Sequence, residues 1–223
     1  MSLHFKKIDK DQLLQSSLQH FENALLLSFT NVIDKTRQHL IKELNHCDLA
    51  NDQLFLKNDY DYLKNNQSNL ISLLSKSVKQ MPKKYIHVLE KSKFEMPETI
   101  DLEVEFNYKQ LEKLIHDNFS ICYSVLEKRL KVLLSNSSIT KTNMPFSTKA
   151  TSSIFKNLFK QTSLSSTTQS KMISLLANEL LITLNQALKS IDKLFIDAKI
   201  LPNISKISGK ENNELNCFVK KAQ

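Results

Sequence analysis

A chain of 223 residues with a single glycine, Gly209, has few ways to turn sharply. Glycine is the residue that accepts φ > 0 and close backbone approach at little cost. Tight hairpins, phosphate-cradling loops and dinucleotide fingerprints all draw on that freedom. Walker-type NTPases, Rossmann enzymes and most sheet-rich folds are therefore disfavoured. What remains is a set of long helices joined by polar links, which four prolines and the absence of tryptophan also fit.

The stretch from Leu176 to Pro202 carries the strongest helical signal. Leu176, Leu180, Leu184, Leu188, Ile191, Leu194 or Phe195, Ala198 and Leu201 recur in steps of three and four. That spacing keeps them on one side of a helix. Lys193 and Lys199 lie near its end, where exposed carbonyls favour cations, and Pro202 stops it. Ser165, Ser166 or Thr167 is placed to cap its start. A first long helix is expected from Lys10 to Cys47 on the stripe Leu14, Leu18, Phe21, Leu25, Phe29, Val32, Thr36, Leu40 and Leu44.

A second helix is expected from Asn51 or Asp52 towards Gln80, with Leu54, Leu63, Leu70, Leu73 or Leu74 and Val78 on its apolar side. Pro82 suits the first turn of a short third helix, Lys83 to Lys91. Residues Phe94 to Glu105 read as an extended link pinned to the core by Leu102. A fourth helix, Asn107 to Ser135, carries Leu111, Ile115, Phe119, Cys122, Leu126, Leu130 and Leu133. Nearly half of the residues from Ser135 to Ser170 are serine or threonine, interrupted by a short amphipathic helix from Ser152 to Gln161. The expectation is an all-α bundle of five or six helices, several of them long. It forms one domain over residues 1–204, followed by a flexible polar tail, 205–223, in which Leu215, Phe218 and Val219 offer docking side chains.

The opening MSLHFKKIDKDQ holds no apolar run long enough for a signal peptide, and no stretch of about 18 apolar residues spans a membrane. Cys47, Cys122 and Cys217 are widely spaced and read as free thiols, two of them in helical patterns, which suits a reducing cytoplasm.

Charge is uneven. The net value is +8, and no acid lies between Glu127 and Glu179. Within that window, 128–178, Lys128, Arg129, Lys131, Lys141, Lys149, Lys156 and Lys160 are candidate anion-binding residues, with Lys171 beyond them. Converging on phosphates, they would suit nucleic acid or an acidic membrane surface, and the helix around Ile154, Phe155, Leu158 and Phe159 would suit a membrane interface. The plainer reading, which we favour, has those four side chains filling the bundle while the lysines are solvated. Arginine, the main reader of base edges, occurs only at Arg37 and Arg129.

Chemistry has little to stand on. His39, Glu43 and His46 share a helical face, but a di-iron carboxylate site needs a second Glu-x-x-His that is missing. No Gly-x-Ser-x-Gly elbow occurs, and His20, His87 and His116 stand apart. No catalytic residue, metal ligand or cofactor is expected, and the chain reads as a non-enzyme.

Four segments, in order, resemble the uncharacterised proteobacterial family catalogued as domain of unknown function 1631. They are Asn51-Asp52-Gln53-Leu54 with Tyr62-Leu63; Asp101-Leu102 with Leu126-Glu127-Lys128-Arg129-Leu130; Asn143-Met144-Pro145; and Leu184-Asn185 with Ile200-Leu201-Pro202. Met144 departs from the family's Asn-Pro-x-x-Pro turn. The likeness runs from Leu14 to Ile204, as a short version, and implies no activity. The expected function is protein binding through an exposed helical groove, with the anion-binding module as the alternative.

Overall fold

The computed structural model describes residues 9–47, 49–87 and 102–204, the side chains of 81–87 excepted. Five helices make up almost all of it, and no strand occurs among the described residues. They are α1 (Lys10–His46), α2 (Ala50–His87), α3 (Leu102–Leu134), α4 (Thr148–Phe159) and α5 (Ser166–Asp197).

Local chemistry sets where the helices start. A helix leaves its first amides without intrahelical partners, and a short oxygen-bearing side chain satisfies them. Asp9 accepts from the amides of Asp11 and Gln12, Ser147 from Ala150, and Ser165 from Thr168.

The helix ends are less ordinary. A left-handed residue after the last turn lets two amides reach back to stranded carbonyls, and glycine normally fills that position. Here Ser135 (φ 52°) and Lys199 (φ 57°) fill it. Asn136 and Ile200 donate to the carbonyls of Lys131 and Phe195, and Ser135 and Lys199 to those of Val132 and Ile196. The left-handed conformation costs a residue with a Cβ about 1–2 kcal/mol. Ser135→Gly is expected to raise the unfolding free energy by about 0.5–1 kcal/mol, net of the entropy glycine adds to the unfolded chain. Urea denaturation checks it through a higher midpoint at unchanged slope.

Packing order follows from long-range pairs. Ser28 meets Thr183, Lys35 meets Glu179 and Glu43 meets Lys171, so α5 runs antiparallel to α1. Glu22 bonds Ser75 and Lys79 while Arg37 meets Gln67, so α2 is also antiparallel to α1. Lys10 reaches Ser135, placing the end of α3 where α1 starts and α5 ends. α3 therefore lies parallel to α5. α4 runs against α3 through Glu105–Lys156 and Glu112–Ser152, and it packs on α2 as well. The order around the bundle is α2, α1, α5, α3, and α4 closes it.

The core is apolar and continuous. Leu176, Leu180, Leu184, Leu188, Ile191 and Phe195 are all buried, as are Leu14 through Leu40 of the α1 stripe. Phe29 sits against Phe155 and Phe159, at 5.8 and 6.0 Å between ring centroids. The α3–α4 loop adds Met144 and Phe146, both at 0% exposure, and Phe146 meets Phe21 edge-on. Asn143 shapes that loop by accepting from the Thr140 amide and donating to the Ser138 carbonyl.

Several expectations need correction. α2 continues through Pro82 instead of yielding to a new helix there. Proline's φ near −65° is helical, and one lost amide bond does not end a long packed helix. Residues 88–91 of the expected third helix, and 94–101 of the link, lie outside the described residues. Leu102 does not pin an extended link: it opens α3 at 86% exposure, and Val104 is buried instead. Glu103 and Glu105 in that first turn favour helix through its N-terminal dipole. Leu54 is exposed, and Tyr123 takes the core position expected of Cys122.

Candidate functional site

The seven basic residues singled out from the sequence do not gather. Arg129 is 1% exposed and donates from Nη1 to Asp192 Oδ1 at 2.5 Å, to the Asp192 carbonyl at 2.8 Å, and from Nη2 to the Leu201 carbonyl at 3.4 Å. Lys131 pairs with Glu127 one turn back, and the Lys141 amide donates to the same carboxylate. Lys156 pairs with Glu105 and lies over the Tyr108 ring. Lys128, Lys149 and Lys160 are exposed. Because Lys156 meets α3 at Glu105, it lies some 24 residues of helix from Arg129, about 36 Å at 1.5 Å per residue. Beyond the seven, Lys171 is held by Glu43 of α1. The window is thus spread along the bundle, and much of its charge serves internal ion pairs.

The amphipathic helix inside that window is α4. Ile154, Phe155, Leu158 and Phe159 are all buried, so its apolar side faces the bundle.

The other polar candidates are also accounted for by structure. Glu43 of the histidine-bearing face is committed to Lys171, and His46 Nδ1 bonds the Lys42 carbonyl. No group of three possible metal ligands occurs among the described residues. Glu179, largely buried, accepts from Lys35 and Asn31, and the Lys35 bond holds its carboxyl below the usual range against the opposing effect of burial. Asp59 accepts from the Ser165 amide and hydroxyl, tying α2 to the start of α5. Burial pushes the Tyr108 and Tyr123 phenols far above their ordinary range, and neither buried hydroxyl has a hydrogen-bond partner among the described residues.

The cysteines depart from the free-thiol reading. Cys47 is a free, half-buried thiol at the end of α1, whereas Cys122 is half-buried and disulfide-bonded. Cys217 lies outside the described residues.

The concave feature of note is a shallow groove between α3 and α5, of about 100 Å³. Cys122, Val125 and Leu126 line one side; Leu188, Lys189, Asp192, Lys193 and Ile196 line the other. This is well below the 300–1,000 Å³ or so of small-molecule sites. Ile196 on its wall is 37% exposed, and the same two helices carry exposed Ile121 and Ile182 elsewhere along their length. Asp192 is engaged by Arg129, so Lys189 and Lys193 set the sign of the rim, and neither has an ion-pair partner among the described residues. Burial pushes the Asp192 carboxyl above the usual range, with Arg129 opposing; burial likewise lowers the Arg129 guanidinium, with Asp192 opposing.

No family model, curated protein or solved structure matches this chain. No helix among the described residues is long and apolar enough to cross a membrane. Sequence reasoning expected an exposed helical groove but did not place it, because its walls come from two helices whose register only packing fixes.

Proposed function

We propose that the chain is a non-enzymatic helical interaction module, and that the groove between α3 and α5 takes an amphipathic segment of another protein. The observation that supports this most is an apolar floor of Val125, Leu126, Leu188 and half-exposed Ile196, edged by Lys189 and Lys193. An apolar cleft with charged edges suits helix-in-groove recognition, in which spaced apolar anchors enter the floor. The sign of the rim calls for acidic residues flanking those anchors. The resemblance to the uncharacterised proteobacterial family adds no activity to this reading. Of the grounds for a cytoplasmic location, the free-thiol one now applies to Cys47 alone.

A photo-reactive residue in place of Ile196, compared with one in place of exposed Lys57 on α2, tests the reading in the native cell. We expect protein adducts at position 196 and not at 57. The captured partner is expected to bind about tenfold more weakly to Lys189→Glu/Lys193→Glu, a loss of about 1.4 kcal/mol, with helicity unchanged. Equal adducts at both positions, or unchanged affinity after charge reversal, overturn it. Competition by DNA or by phosphatidylserine vesicles would favour the anion-binding alternative.

A further inference from the structure

Of the 31 lysines and arginines in the chain, only Arg37 and Arg129 are arginine. Arginine differs from lysine in its planar fork of five donors, which matches a carboxylate, a phosphate or a set of carbonyls. Arg129 uses that fork on Asp192 and the Leu201 carbonyl. Arg37 does not. Only its Nη1 has partners among the described residues, Gln67 Oε1 at 3.4 Å and Asp34 Oδ1 at 3.7 Å, and its Nε is buried without one. Both distances are long for a guanidinium, whose charge-assisted bonds run at about 2.7–2.9 Å. The Asp34 side chain is 51% exposed, so that pair is a weak one.

A second cation shares the place. The Arg37 guanidinium lies 5.7 Å and the Lys64 ammonium 6.0 Å from the centroid of the Tyr60 ring. Lys64 is exposed and has no ion-pair partner among the described residues. The ring attracts each cation through its quadrupole, but it carries no net charge to offset their mutual repulsion. The seam between α1 and α2 thus gathers two positive charges and unused fork donors, answered by one loosely held carboxylate. It is separate from the α3–α5 groove and from the basic window 128–178.

We propose that Arg37, Lys64 and Gln67 bind a phosphate monoester group. A dianion answers two cations, where a carboxylate answers one. The guanidinium takes phosphate oxygens through its paired terminal nitrogens, and the ammonium, on a flexible stem, adds a point charge from the side. Gln67 accepts from Arg37 through Oε1, which leaves its Nε2 as a further donor. Tyr60 is the platform that keeps the two cations near each other. Asp34 is the group the ligand displaces, and its exposure lets it turn to water.

The test uses the full chain and three probes: inorganic phosphate, glycerol 3-phosphate, and phosphatidylcholine vesicles with or without phosphatidic acid. Calorimetric titration at constant ionic strength, held with sodium chloride, is expected to show saturable binding of phosphate. Arg37→Lys keeps the charge and loses the fork, and is expected to bind at least tenfold more weakly. Lys64→Gln is expected to bind several-fold more weakly. A merely structural Arg37 would shift the thermal midpoint by the same amount with and without phosphate. We expect phosphate to raise the midpoint of the unmodified chain and to leave that of Arg37→Lys where it was. Tighter binding of glycerol 3-phosphate than of vesicles assigns the site to a soluble monoester. Tighter binding of phosphatidic acid vesicles, lost in Arg37→Lys, assigns it to a lipid headgroup. No saturable binding of any probe, or binding that both substitutions leave unchanged, overturns the proposal.

Discussion

Phe29→Ala is expected to cost about 3–5 kcal/mol of unfolding free energy, the range for deleting a fully buried aromatic ring. Phe29 is 0% exposed in the middle of α1, and its ring meets Phe155 at 5.8 Å and Phe159 at 6.0 Å. The alanine leaves a void that Phe155 and Phe159 cannot fill without moving α4. That helix is only 12 residues long. Alone in water a helix so short is marginal, so its helicity comes from this packing. The damage should therefore be local as well as global. Hydrogen exchange of residues 150–159 is expected to rise more than that of 176–188. Phe29→Leu, which keeps most of the volume, is expected to cost well under half as much. A loss below about 1 kcal/mol for the alanine would mean that α4 is not held by α1, and the closure of the bundle would have to be redrawn.

That dependence explains which parts of the fold were legible. α5 was readable because its stripe repeats over many turns without a competing register, and Leu176, Leu180, Leu184, Leu188 and Ile191 of that stripe are all buried. Ser165 was readable as a cap because a serine cluster directly precedes the apolar run. α3 was harder: between Phe119 and Leu126 both 122 and 123 satisfy helical spacing, and contact with the neighbouring helices selects Tyr123. The run 102–105 alternates as a strand would, yet acids at a helix start outweigh the alternation. Buried charges were the least legible. Glu22, Asp59, Arg129 and Glu179 find partners 53, 106, 63 and 148 residues away, and no local pattern encodes such pairs. The lysine-rich window illustrates the same point. Charge was counted along the chain, whereas Glu105, Glu43 and Asp192 meet it in space.

Asp192→Asn should show the largest effect of any single polar change, a loss of about 3–5 kcal/mol, because it leaves a buried guanidinium without a counter-charge. Arg129 is 1% exposed, and Asp192 supplies the only carboxylate it meets among the described residues. Burial already weakens the charged form of both members. The pair is thus an expensive one whose halves tolerate each other better than either tolerates solitude. Arg129→Met fills similar volume without charge, and Asp192, whose side chain is 20% exposed, can turn to water. Arg129→Met/Asp192→Asn is therefore expected to regain most of what Asp192→Asn loses. The coupling energy between the two positions should come to about 2 kcal/mol or more. Guanidinium denaturation of the four proteins measures it. Additive losses, with no recovery in the double variant, would mean that the α3–α5 seam is held by its leucines alone. The result also bears on the groove, since Asp192 lines it. With that carboxylate tied to Arg129, Lys189 and Lys193 present an unopposed positive rim; a free Asp192 would cancel part of it and weaken any acidic segment that docks there.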